Sequence, residues 1–304
     1  MNYLTYFIVG PTAIGKSSLA IRLAAKIKGE IINADSMQVY NNLHILTARP
    51  SLKDHKIIKH HLYGYVEGSE RYNVAKWCND VVKIIKKNNQ TSTPSIVVGG
   101  TGMYIDKLIN GLINIPSIPE SLKKKSESLF VEIGKDNFYN QIKEFDVEAL
   151  KRISKNDTSR LRRIWEVYKH TDIPFSYWIK NNNNFFLNKT DYKLYYFRPP
   201  KDKIYNQVNK RFVTMIDQGA IDEVRKLNEL KLDRSLPIMR AHGIPEISNY
   251  LSNLCSIEEC IKKGQQVTRN YVKRQLTWWR SSTLHIHQTF DRFPNEIDEN
   301  MINF

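Results

Sequence analysis

The chain alternates short apolar runs with stretches in which apolar residues return every three or four positions. Residues 4–9, 30–34 and 95–98 are runs rich in β-formers, each bounded by polar or glycine-bearing segments, so they read as buried strands. After the first run, Leu19, Ala20, Leu23, Ala24 and Ile27 recur at helical spacing, and Gly29 stands where a helix C-terminus is capped. Val74, Trp77, Val81, Ile84 and Ile85 make the apolar face of a helix over residues 72–87. Strands alternating with amphipathic helices predict a parallel α/β sheet. From about residue 113 the character changes. Pro116 and Pro119 open a stretch of Lys, Glu and Phe at helical spacing, and Asn156-Asp157 can cap a helix from Thr158 whose buried stripe is Leu161, Ile164, Trp165 and Tyr168. Residues 181–184 form a polar loop, and residues 193–197 read as a strand returning to the sheet. Three segments are therefore expected: a first core part at 1–115, an inserted all-helical domain at 116–190 and the rest of the core at 191–304. In the last, 203–227 reads as one helix with Val208, Phe212, Met215 and Ile216 inward and Arg211 facing elsewhere. Residues 237–246 read as a loop or short turn. Residues 268–279 read as a strong helix with Val272, Leu276 and Trp279 inward, and 284–286 as a final strand.

Composition adds one bias. The 304 residues carry a net charge of +15, which fits a solvated basic surface or a polyanionic partner equally well until the arginines are placed. Cys78, Cys255 and Cys260 show neither C-x-x-C spacing nor a disulfide framework, which points to a reducing compartment. The chain enters its first strand at once, leaving no room for a signal peptide, so the cytoplasm is the expected location. No apolar run reaches membrane-spanning length, and nothing in the pattern requires more than a monomer.

The chemistry concentrates at the ends of the predicted strands. Gly10-Pro11-Thr12-Ala13-Ile14-Gly15-Lys16-Ser17 matches G-x-x-x-x-G-K-[ST], with the required strand before it and helix after it. Backbone N–H groups, the helix dipole and Lys16 make an anion cradle, and Ser17 is placed to hold a phosphate-bound Mg2+. The core is thus expected to be a P-loop NTPase-like parallel sheet flanked by helices. Asp35-Ser36-Met37-Gln38 follows the second strand, where an open α/β sheet puts its site, although Asp-Ser is also a common turn former. The third strand runs into Gly99-Gly100-Thr101-Gly102, where many phosphate-loop kinases and hydrolases carry an acidic residue. His60-His61 lacks the partners of a metal site and reads as structural. Arg269, Lys273 and Arg280 share a helical stripe interleaved with Tyr271 and Trp278, which suits a solvated face or a nucleic-acid backbone.

No side chain reads as an activated covalent nucleophile, so a second substrate attacks a phosphorylated one, with Asp35 as the candidate base. Attack at phosphorus makes a small-molecule or nucleotide kinase. Attack at carbon makes a prenyl transferase whose diphosphate leaves toward Lys16, Arg211 and Mg2+. A non-catalytic RNA-binding protein is the third reading. The basic excess favours a polymeric acceptor.

Longer motifs narrow the choice. The phosphate loop, Asn33-Ala34-Asp35-Ser36-Met37-Gln38-Val39-Tyr40, Thr47-Ala48-Arg49-Pro50, His60-His61-Leu62, Gly99-Gly100-Thr101-Gly102-Met103-Tyr104, Met239-Arg240-Ala241-His242-Gly243 and the run from Thr268 through Lys273-Arg274-Gln275-Leu276-Thr277-Trp278 to Arg280 resemble, in order, the bacterial tRNA dimethylallyltransferases. The resemblance implies transfer of a dimethylallyl group from dimethylallyl diphosphate to N6 of the adenosine 3′ of the anticodon, position 37, in tRNAs reading codons that begin with U. It assigns Asp35 as proton acceptor, Thr101 to substrate positioning and Arg211 to the diphosphate end. Asp35, Ser36, Met37 and Gln38 would meet the target adenosine. Lys123, Ser159, Arg160, Leu161, Arg162 and Arg163 would hold the anticodon stem-loop, and Arg240, His242, Gly243, Arg269, Lys273, Arg274 and Arg280 would add further tRNA contacts. Leu46, Arg49 and Met103 depart from the residues common in the family, and none of these positions carries a group the chemistry needs.

Overall fold

Strands β1 (Thr5–Val9), β2 (Glu30–Asn33), β3 (His60–His61), β4 (Ser95–Gly99), β5 (Tyr192–Phe197) and β6 (Gln288–Phe290) form one parallel sheet in the order β3-β2-β4-β1-β5-β6. The structure, a computed structural model, describes residues 4–181, 186–188 and 191–302; residues 182–184 of the predicted polar loop lie outside them. Every residue of β1 and β4 is buried, as a parallel sheet covered on both faces requires. The helices are α1 (Lys16–Ile27), α2 (Leu52–Ile57), α3 (Val74–Gln90), α4 (Gly102–Asn110), α5 (Glu120–Phe145), α6 (Val147–Leu150), α7 (Thr158–Thr171), α8 (Phe175–Lys180), α9 (Lys201–Asp217), α10 (Ala220–Glu229), α11 (Ile244–Leu251) and α12 (Ile257–Ser281). The architecture is the α/β, P-loop NTPase-like type expected.

Two compact units divide the chain: Met1–Ile109 with Phe186–Phe304, and Asn110–Phe185, against the 116–190 expected for the insert. The first holds the sheet. Its α1 packs Leu19 and Leu23 on Ile8, with Phe197 of β5, Val208 of α9 and Val272 of α12 in the same cluster. The second is all-helical among its described residues and closes over Phe138, Ile142, Leu150, Leu161, Ile164 and Trp165. The predicted Asp157 cap is present, accepting from the Arg160 N–H at 3.1 Å. Among the described residues no helix is long and apolar enough to cross a membrane.

Several elements differ from expectation for local reasons. Residues 203–227 are two helices, because Gly219 takes φ 100° and turns the chain between α9 and α10. The loop expected at 237–246 is a short 3-10 turn, Pro237–Arg240, followed by the start of α11, whose Pro245 occupies the first turn, where no N–H is needed. The last helix begins at Ile257, set by a Ser256–Glu259 capping box. The final strand is Gln288–Phe290, not 284–286, and stacks Phe290 on Phe197 with centroids 4.8 Å apart. Lys28, not Gly29, takes the left-handed cap of α1; a side chain at Gly29 would meet the Pro94 carbonyl at 2.8 Å.

Candidate active site

The strand order explains why three distant motifs meet. β2, β4 and β1 are consecutive neighbours, and Val9 pairs with Gly99 while Asn33 pairs with Val98, so their carboxyl ends lie level. The loops that follow are Asp35–Gln38, Gly99–Gly102 and Gly10–Ser17. An open parallel sheet binds its ligands at these ends.

Asp35 is held from behind. The fully buried Asn33 accepts from the Asp35 N–H at 2.8 Å and donates to the carbonyls of Asp35 and Leu62 at 3.0 and 2.9 Å. The Trp77 indole of α3 donates to the Asn33 carbonyl at 2.7 Å. Asp35 Oδ1 accepts from the Met37 N–H at 2.9 Å, and the carboxylate lines the cavity. Thr101 Oγ1 accepts from the Ser36 N–H at 3.3 Å.

The phosphate loop turns into α1 at Gly15, whose φ of 89° favours glycine. Lys16 Nζ donates to the Pro11 carbonyl at 2.6 Å. Burial brings the Lys16 pKa down to about 7; the Asp35 charge opposes that and Arg211 reinforces it. Burial likewise lowers Arg211, again against Asp35. Two desolvated cations thus face one carboxylate, an arrangement that welcomes a polyanion.

Two cavities share Thr12, Ala13, Asp35, Thr47 and Arg211. One, about 230 Å³, is polar and is lined by Gly15, Lys16, Ser17, Gln38 and Gln275. The other, about 290 Å³, has an apolar wall of Leu46, Val208, Phe212 and Met215, and across it Ser36, Met37, Arg240, His242, Tyr271 and Arg274. His242 lies 4.6 Å from the Tyr271 ring by centroids, and burial and Arg274 push its pKa down while Asp35 opposes them.

Other residues of the predicted set are used inside the protein. Arg269 donates to Asn209 at 2.6 Å and braces α12 on α9. Gln38 Nε2 donates to the Thr47 carbonyl at 2.8 Å, leaving its carbonyl oxygen for a ligand. Gly243 caps α11, while Lys273 and Arg280 are exposed on α12. In the insert, Lys123 pairs with Glu120 at 3.0 Å and Arg160 with Asp157 at 3.2 Å. Arg162 is half-buried, donating to Ser126 and the Lys123 carbonyl. Ser159 is exposed, and Arg160 and Arg163 line a 300 Å³ cavity with Arg152 and Lys180. Leu161 is a correction: it is fully buried in the insert core, so it packs rather than touches a ligand. Ile14 is buried too, so only its backbone can serve the cradle. The two histidines are structural, His61 bonding Glu30 at 2.7 Å and His60 the Ile58 carbonyl at 2.8 Å.

Sequence reading missed three positioning groups. The Gln275 amide accepts from the Thr12 N–H at 2.9 Å and donates to the Gly100 carbonyl at 3.0 Å, tying α12 to both loops. Its signal was a polar residue on the apolar stripe of Val272, Leu276 and Trp279. The Glu223 carboxylate accepts from the N–H groups of His44, Ile45 and Leu46 at 2.5, 2.8 and 2.9 Å and fixes the wall that carries Leu46 and Thr47. Asn33 is the third.

A phosphate loop whose buried cations stand with a carboxylate beside an apolar-walled cavity fits an α/β transferase that uses a phosphorylated donor. The model of the IPP transferase family matches residues 38–282, and that of isopentenyl transferase residues 3–62. The chain belongs to the IPP transferase family. It is 40% identical over 274 residues to the tRNA dimethylallyltransferase of Bartonella henselae, covering 90% of this chain and 94% of that one. It is 38% identical over 275 residues to that of Ehrlichia canis, covering 90% of each. Among solved structures, the full-length tRNA isopentenylpyrophosphate transferase of Bacillus halodurans aligns with TM-score 0.69 at 27% identity over 99% of this chain and 93% of that one. A eukaryotic dimethylallyltransferase acting on tRNA aligns with TM-score 0.78 at 27% identity over 91% and 69%.

Proposed function

We propose that the protein transfers the dimethylallyl group of dimethylallyl diphosphate to N6 of the adenosine 3′ of the anticodon, position 37, in tRNAs reading codons that begin with U. One observation carries the reading. Asp35 lines both the polar cavity beside the phosphate loop and the cavity with an apolar wall. The diphosphate lies on the loop N–H groups, Lys16 and Arg211, and the prenyl carbons lie along Val208, Phe212, Met215 and Leu46. The N6 amine attacks the first prenyl carbon, the carbon–oxygen bond breaks, diphosphate leaves, and the N6 proton passes to Asp35. A positioned base of this kind contributes about 10²–10⁴-fold. The cations stabilise charge where it develops, on the bridging oxygen of the leaving group.

A divalent cation, Mg2+, fits beside the loop, since the Ser17 hydroxyl lines the polar cavity together with Lys16 and Asp35. When bound it would neutralise part of the diphosphate charge. An adenosine stacked in a loop must turn out of the stack to reach Asp35, and the RNA must be held while it does so. Arg240, His242 and Arg274 on the first unit, and Arg160, Arg163 and Lys123 on the insert, are assigned to that task. The protein acts as a monomer in the cytoplasm.

The test is incubation of the purified protein with labelled dimethylallyl diphosphate and unmodified tRNA, followed by nucleoside mass spectrometry. Dimethylallyl adenosine with release of diphosphate is expected. An untouched donor together with ATP consumption would replace the reading with that of a kinase.

A further inference from the structure

Phe212 lines the cavity with the apolar wall, and its ring is seated by two glycines. It lies one residue past Arg211 on α9, and both side chains line that cavity. The ring lines the apolar wall and is otherwise buried. Its far edge rests on Gly264, in the middle of α12, where an added Cβ would overlap three of the ring carbons. A second edge faces Gly243, whose added Cβ would sit 3.3 Å from the ring. Glycine is a weak choice for the interior of a long helix, and here it has a packing reason. The absence of a side chain at Gly264 lets the ring sit back against α12 and leaves the cavity its depth.

We infer that the Phe212–Gly264 contact sets donor length, admitting one isoprene unit and excluding longer prenyl diphosphates. The chemistry is unchanged with either donor: the N6–carbon bond forms, the carbon–oxygen bond breaks, diphosphate leaves and the proton passes to Asp35. Only the space behind the first isoprene unit differs. Phe212→Ala removes a phenyl ring, a group about the size of the extra isoprene unit of geranyl diphosphate. Gly264→Ala pushes the ring the other way, into the cavity. This inference rests on the proposed donor site.

The experiment measures kcat/KM for dimethylallyl and geranyl diphosphate, at saturating tRNA, in the wild type and in Phe212→Ala, Phe212→Leu and Gly264→Ala, with thermal unfolding of each. Wild type uses dimethylallyl diphosphate and discriminates strongly against geranyl. Phe212→Ala raises the geranyl-to-dimethylallyl ratio by on the order of 100-fold, since each methylene in an apolar pocket is worth about tenfold or more. Phe212→Leu, which keeps more of the core filled, raises it less. Gly264→Ala raises KM for dimethylallyl diphosphate more than it lowers kcat and moves the ratio down. Opposite movements from the two sides of one contact are not produced by general destabilisation. An unchanged ratio in folded Phe212→Ala and Phe212→Leu overturns the inference while leaving the proposed function standing. A wild type that uses neither donor overturns the proposed function itself.

Discussion

Lys16 ties donor affinity to pH in a way that can be worked out in advance. Burial brings its pKa from 10.5 to about 7 when only Asp35 opposes the effect. A bound diphosphate lays anionic oxygens against the same ammonium and restores the charged form. Donor binding therefore takes up little proton on the acid side of about pH 7 and approaches one proton on the alkaline side. Above pH 8 the dissociation constant rises toward about tenfold per pH unit. Calorimetric titration of the donor's thiolodiphosphate analogue, in buffers of different ionisation enthalpy, reads the uptake directly, and Lys16→Met must abolish it. The same group acts on folding. Between pH 7 and 10.5 the folded, donor-free protein binds fewer protons than the unfolded chain, so stability rises with pH across that window and is lowest below it. The full span is at most about 5 kcal/mol, and Lys16→Met removes the rise. Proton uptake at pH 8 that is absent from the wild type, or equal in Lys16→Met, would refute the reasoning.

Asp35→Asn keeps the acceptor oxygen for the Met37 N–H but cannot take the N6 proton, so kcat falls about 10²–10⁴-fold while tRNA affinity changes little. Equal losses in rapid-quench turnover and in tRNA binding would assign Asp35 to the RNA instead. Gln275→Leu leaves the Thr12 N–H without its partner, at roughly 1–3 kcal/mol, and leaves the Gly100 carbonyl the Gly102 N–H alone. A lower melting temperature and a higher KM for the donor are expected; wild-type values of both would show that the tie is dispensable. Arg160→Ala with Arg163→Ala lowers the slope of log affinity against log salt by up to about 2, read by filter binding across a salt series. Leu161→Ala opens a cavity in the insert at about 2–5 kcal/mol. Hydrogen exchange should show the loss in α7 and its packing partners rather than in the sheet.

The strand ends were legible because each motif carries its own context: an apolar run, then the residues that only a strand end would expose. That logic placed Gly10–Ser17, Asp35 and Thr101 before any geometry, and the level ends of β1, β2 and β4 brought them together. It had no purchase on Asn33, Gln275 and Glu223, whose partners are backbone groups on distant elements. A carboxylate on α10 that gathers three N–H groups of residues 44–46 looks in sequence like any helical surface glutamate. The helix break at Gly219 is hidden for the opposite reason: the long apolar period across residues 203–227 outweighs one glycine in the sequence, and in the structure the glycine prevails.

What separates this site from a kinase is where the charges stand relative to the bond that breaks. In phosphoryl transfer the transferred group is itself an anion, so positive charge and hydrogen-bond donors must follow it toward the acceptor. Here Lys16 lines only the polar cavity, Asp35 and Arg211 line both, and the second cavity has Val208, Phe212, Met215 and Leu46 along one wall. That wall cannot solvate phosphoryl oxygens, and an unpartnered polar group beside it would be penalised by its lost hydration. It suits a group that departs as carbon. The two buried cations therefore hold what stays behind. The lowered pKa of Lys16 follows from the same arrangement: burial in the empty site disfavours the ammonium, and a bound diphosphate restores its charge.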